Sequence, residues 1–206
     1  MQKCNKLLVM LFMVLALAAC SLGGKTSPST FHVLSASSTE SINNGPPMSV
    51  LLGPLTLPDV VLRPQIVTRP QQGHMVFAEY NRWAGDLRAN VEQVTLQNLS
   101  YRLGNSVVIP AGGGYSDVDY RVAIRFLRFD GALGSNVVLE GNWRVKTGEP
   151  DCLIGIFRFA IEVPVTGREY EAYVQGLDEG LAQLSGRIAR GLVKRPDCRQ
   201  EDSQAD

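Results

Sequence analysis

Residues 118–163 read VDYRVAIRFLRFDGALGSNVVLEGNWRVKTGEPDCLIGIFRFAIEV, and three runs within them alternate apolar and polar positions. Val118, Tyr120, Val122, Ile124 and Phe126 form the first. Val137, Leu139, Trp143 and Val145 form the second, and Phe157, Phe159, Ile161 and Val163 the third. A period of two puts each set on one side of a strand, and the intervening Arg121, Arg125, Glu140, Arg144, Arg158 and Glu162 on the other. Strands with one apolar and one charged face belong to an antiparallel sheet covered on one side only. Gly131 and Gly134 mark a hairpin between the first two.

What covers the apolar side follows directly in the chain. Tyr170, Val174, Leu177, Leu181, Leu184, Ile188 and Leu192 recur at steps of three and four, the stripe of a helix packed on a sheet. Thr166 and Glu169 have capping-box spacing, and Arg190, Lys194 and Arg195 suit the negative end of the helix dipole. Upstream, Trp83, Leu87, Val91 and Val94 predict a helix over Arg82–Leu103, with Asn81 at its start and Gly104 at its end. Shorter strands are predicted near Phe31–Leu34, Ser49–Leu57, Met75–Glu79 and Ser106–Ile109. Pro54 and Pro58 push the second of these toward a sheet edge or an interruption, because each lacks a ladder donor. The expected fold class is α/β: a single domain over residues 31–195, with a mixed sheet, antiparallel strands and at least two packed helices.

Before residue 31 the chain changes character. Lys3 and Lys6 precede the apolar run Leu7–Leu17, and small residues lead into Cys20. The order is that of an export signal, and the run is shorter than the roughly 20 residues of a spanning helix. Leu17-Ala18-Ala19-Cys20 resembles the lipobox of bacterial lipoproteins, which implies cleavage after residue 19 and acylation of Cys20. Serine rather than aspartate at position 21 implies sorting to the inner leaflet of the outer membrane. Residues 20–30, rich in Gly, Ser, Pro and Thr, predict a flexible tether, and residues 196–206 a polar tail.

Removal of residues 1–19 takes away two of 20 basic groups and none of 20 acidic ones, leaving 18 against 20, or −2. That balance argues against a nucleic-acid partner. Cys4 leaves with the signal and Cys20 carries lipid. Cys152 and Cys198 remain as a possible disulfide in an oxidising compartment, or as two separate thiols.

Catalytic signals are weak. His32 and His74 have no cysteine or carboxylate at metal-ligand spacing, so neither a metal site nor an enzyme is expected. Gly112-Gly113-Gly114-Tyr115 lacks a phosphate-neutralising lysine, and Ser116 lacks a nucleophile elbow. Asp117 and Asp119 share a strand face but read as a solvated loop mouth.

Five segments, taken in order, carry a family resemblance: GPLTLPDVVLRPQIVTR (53–69), RWAGDL (82–87), DYRVAIRFLRFDG (119–131), VVLEGNWRV (137–145) and the lipobox. Together they resemble the PqiC/YmbA-like ABC-type transport auxiliary lipoproteins over roughly residues 31–195. The resemblance implies a compact mixed α/β domain at the outer membrane that binds or docks without a cofactor. The implied partners are an MCE-domain tunnel protein of PqiB type and, indirectly, a PqiA-like inner-membrane protein or ABC permease. Lipid transport between the two membranes is the implied role, and self-association into a homo-oligomer is open. Cys152 and Cys198 receive no support from the family pattern.

Arg63, Gln65 and Arg69, around stiffening prolines, together with Arg82 and Trp83, are candidates for a partner-contact surface. The same side chains could instead tie their loop to the first helix, with Trp83 in the core. A lipoprotein of envelope assembly or peptidoglycan binding is the alternative function, and a lipid-modifying hydrolase a third that lacks a nucleophile.

Overall fold

The computed structural model describes residues 28–112, 114, 117–194 and 197–198. The signal segment, Cys20 and the tether to residue 27 lie outside the described residues, as do Ser116 and the tail beyond Cys198. The elements are β1 (Thr30–His32), β2 (Ser49–Thr56), β3 (Gln65–Gln71), β4 (His74–Trp83), α1 (Leu87–Leu103), β5 (Val107–Pro110), β6 (Tyr120–Gly131), β7 (Asn136–Thr147), β8 (Leu153–Pro164) and α2 (Tyr170–Val193).

A five-stranded sheet runs β5-β2-β6-β7-β8, and a three-stranded sheet runs β1-β4-β3. The three alternating runs are the antiparallel meander β6-β7-β8, while β2 lies parallel to both β5 and β6. The fold is therefore the expected mixed α/β domain, with its strands divided between two sheets. Phe126 meets Phe129 and Phe159 edge to face at 5.4 and 5.5 Å, an arrangement that aligns ring edges with ring faces. Leu177, Leu181, Leu184, Ile188 and Leu192 of α2 are buried against this layer. Gly180 lets the helix lie close, since a Cβ there would come within 2.9 Å of Leu139.

Two local expectations need correction. The first helix starts at Leu87, not Arg82: Asp86 accepts from the backbone N–H of Ala89 at 2.7 Å and caps it, while Arg82 and Trp83 end strand β4. Trp83 matches the helical spacing by coincidence and reaches the core from a strand. At the last helix Glu169 occupies the N-cap position without a side-chain hydrogen bond, so the capping box of Thr166 does not form. Of the edge or interruption expected at Pro54, the interruption is what forms. The β2–β6 register shifts between Leu52 and Leu55, and this irregularity accommodates the missing donor within an inner strand.

Residues 34–42 cross the helix layer on hydrogen bonds supplied by side chains. Asn90 both accepts from Leu34 N (2.8 Å) and donates to Leu34 O (3.2 Å), and Asn98 accepts from Ser37 N and Ser38 N at 3.2 and 2.9 Å. Asp178 of α2 accepts from Ser35 N at 2.9 Å. Burial pushes its carboxyl up to about 6, opposed in part by that hydrogen bond. Since the folded value lies above the ordinary 3.8, the contribution to stability is complete below about 4 and is lost as pH rises through 6. Cys152 and Cys198 are joined by a disulfide with Cα atoms 6.2 Å apart, tying the segment after α2 to the start of β8.

The two sheets are linked through one buried acid. Asp130 of β6, 1% exposed, accepts from Arg69 of β3 at 2.9 Å and from Arg128 at 2.8 Å. A carboxylate is tolerated there because each oxygen holds a guanidinium hydrogen bond. Asp130→Asn removes the charge and misaligns donors against donors, with an expected loss of about 3 kcal/mol. Urea denaturation measures it, together with faster hydrogen exchange in residues 65–83; a loss under about 0.5 kcal/mol would show that the link is incidental.

Candidate functional site

The hairpin of β3 and β4 and the start of α1 enclose an open cleft of about 430 Å³. One wall is Leu62, Arg63 and Pro64; the other runs from Trp83 through Gly85 to Arg88. The local sequence explains the shape. Pro58 leads into a short 3-10 turn at Asp59–Val61, and Leu62-Arg63-Pro64 then enters β3 under the restraint a proline places on the residue before it. On the other side β4 stops at Trp83, whose N–H donates to Pro64 O at 2.8 Å, and Ala84 N donates to His32 O at 2.8 Å. The backbone thus fixes both walls.

The five residues singled out in the sequence separate into two groups. Arg63 and Trp83 line the cleft, and Gln65 and Arg82 are cross-strand partners beside it. Arg69 lies at the other end of β3, four residues and about 13 Å from Gln65, and is held by Asp130. Within the first group, Arg63 donates from Nε to Val60 O at 3.0 Å and lays its guanidinium over Phe77, 4.1 Å from the ring centroid. Phe77 is 46% exposed, so a cation and an aromatic face are both presented to solvent. Trp83 is buried and serves as floor. Nε of Arg82 is buried without a hydrogen-bond partner. Phe31, opposite Arg82 on β1, is largely exposed.

The acids and histidines weighed as chemical groups are engaged elsewhere or set apart from the cleft. Asp86 is engaged as the helix cap. The carboxylate of Asp119, a candidate for acid–base work, accepts from Ser49 N and Oγ at 2.6 and 2.9 Å and clamps β2 to the start of β6. Asp117 is exposed in the preceding loop. His32 bonds Asn81 at 2.9 Å, and His74 is exposed at the β3–β4 turn. Among the described residues no three His, Cys, Asp or Glu side chains gather as metal ligands, and no helix is long and apolar enough to cross a membrane. Sequence reasoning missed Phe77 and Asp130. Phe77 lies in a run with no clear alternation, and Asp130, next to Gly131, reads as a turn residue.

Solved structures share this architecture, two of them over nearly their whole length. A crystal structure of an uncharacterized protein superposes with a TM-score of 0.67 at 22% identity, covering 81% of this chain and 99% of that one. Protein XCC0632 from Xanthomonas campestris, of the DUF330 family, superposes at 0.65 with 17% identity, covering 85% of this chain and all of the other. At these identities the likeness concerns the fold. No curated protein matches the chain. The family described as the ABC-type transport auxiliary lipoprotein component matches residues 32–189, a span from β1 through most of α2 that contains both walls of the cleft. The chain belongs to that family of transport auxiliary lipoproteins.

Proposed function

We propose that the protein is anchored by acylated Cys20 to the inner leaflet of the outer membrane and docks there onto an MCE-domain tunnel protein of PqiB type. A PqiA-like protein or ABC permease in the inner membrane is the indirect partner, and lipid movement between the membranes is the process served. It acts by binding and not by catalysis, without a cofactor. The observation that best supports docking is the Arg63–Phe77 stack beside the cleft. An exposed aromatic held under a guanidinium has little conformational freedom left to lose when a partner covers it. Arginine and aromatic side chains are also the usual anchors of protein interfaces.

A photoreactive residue in place of Arg63 or Phe77 is expected to crosslink the tunnel protein in whole cells, whereas one in place of Arg69 is expected to give little product because that side chain faces Asp130. Capture of a second copy alone would assign the cleft to self-association. Capture of nothing at either position would remove it as a docking site.

A further inference from the structure

The side of the meander turned away from the helices has an uneven charge distribution. In register across β6, β7 and β8, one row is Arg121, Lys146 and Leu153; the next is Ala123, Arg144 and Ile156; the third is Arg125, Asn142 and Arg158. Five of these nine positions are cationic and none is acidic, in a chain with 20 basic and 20 acidic groups. Glu140 and Glu162 return further along the same face. Like charges on neighbouring strands repel and lower stability. Lys146 is relieved by Asp151 at 3.0 Å, but no acidic side chain pairs with Arg125, Arg144 or Arg158 among the described residues, and all three are exposed. Arg125 and Arg144 line a depression of about 270 Å³, together with Ala123, Pro54, Thr56 and Asn142. Leu153 and Ile156, 51% and 61% exposed, stand among the cations.

We infer that this block is a seat for the headgroups of an anionic phospholipid surface. Arg125 and Arg144 take phosphate oxygens across the depression, with Thr56 and Asn142 as further hydrogen-bond donors, and the flanking arginine and lysine residues meet neighbouring headgroups. Charge complementarity selects an anionic occupant. The exposed aliphatic side chains select a lipid surface over an acidic protein, because they can enter the boundary between headgroups and acyl chains while the cations stay at phosphate level. The inference is independent of the tunnel-docking reading: it concerns another face of the domain, and vesicle binding needs no protein partner.

The test uses the mature chain carrying Cys20→Ala, which lacks the acyl anchor, so that only the folded body can bind. Co-flotation is measured with phosphatidylcholine vesicles and with vesicles that also contain phosphatidylglycerol. Binding is expected only to the second, to weaken with salt, and to fall about 30-fold on combining Arg125→Gln with Arg144→Gln, at the strength with which a membrane surface attracts each cation. Combining Arg168→Gln with Arg190→Gln removes equal charge from the α2 side and is expected to change little. Equal losses for the two pairs would reduce the effect to net charge and overturn the inference, as would binding to neither vesicle, or binding of polyglutamate in place of vesicles. Ile156→Ser supplies a readout that leaves the charges in place. It should weaken vesicle binding several-fold, and an unchanged affinity, matched by competition from millimolar inorganic phosphate, would make the depression a phosphate site and overturn the lipid surface.

Discussion

Gly141→Ala is expected to destabilise the domain by more than about 3 kcal/mol. A Cβ at this position of β7 would sit 2.1 Å from the carbonyl oxygen of Arg125 in β6 and 2.9 Å from the ring of Phe159 in β8. The nearer atom belongs to backbone in a paired strand, so no side-chain rotation relieves the clash. Gly141 pairs with Phe126, beside the register shift that separates Phe126 from Arg128, and relief requires β6 and β7 to part at the centre of the meander. Overpacking commonly costs 1–3 kcal/mol when neighbours can move. Here the neighbour is fixed on both sides, and a loss above about 3 kcal/mol consumes much of the 5–15 kcal/mol typical of a domain. Urea unfolding or soluble yield reads the effect. Gly85→Ala is the companion measurement: nothing lies within 4 Å of its Cβ, so a change within about 0.5 kcal/mol is expected. Equal behaviour of the two variants would mean that the β6–β7 spacing is soft.

Cys20→Ala has the largest expected effect on activity in the cell. Residue 20 precedes the family domain of residues 32–189, and the substitution is expected to leave the melting temperature of that domain unchanged. On the proposed mode of action, acyl chains contribute about 0.8 kcal/mol per buried methylene, and their loss leaves only the salt-sensitive attraction of the basic face to anionic lipid, so the body is expected to pass into the soluble fraction at high salt. Tethering concentrates the body at one membrane. Without it, encounter with a membrane-spanning partner depends on bulk concentration, and crosslinking from Arg63 should fall by at least about tenfold. Full crosslinking and full function from the soluble form would contradict the anchored mode of action.

The meander was legible because Tyr120–Phe126, Val137–Val145 and Phe159–Val163 face the core mainly on one side, which is the condition under which alternation appears in sequence, while Phe157, counted in the third run, is exposed. The stripe of α2 was legible for the same reason. By contrast β3 was hidden: Ile66, Val67 and Thr68 are all buried, so no period marks them, and the prolines around them suggested a loop. The start of α1 was misplaced because Trp83, at the end of a strand, fell at a helical interval from Leu87. Of the candidate contact residues, those near the cleft were marked by Arg-Pro and Arg-Trp neighbours. The internal engagement of Arg69 depends on Asp130, 61 positions away, and no local signal predicts such a pairing. The basic block was present in the polar half of the alternation, but its density emerges only when three strands are set in register.

The parallel placement of β2 beside β6 also sets the order in which the chain can fold. β2 ends at Thr56, and its partner begins at Tyr120. A chain synthesised from its N-terminus therefore carries β2 without its inner neighbour until β6 has emerged, whereas β6, β7 and β8 close on one another through short connections. Long-range pairing is slow and local hairpins are fast. The meander is thus a natural nucleus, and although the β3–β4 hairpin can close early, β2 is sealed between β5 and β6 only after the second half has arrived. On the export route proposed above, this delay leaves β2 unsealed while the chain crosses the membrane.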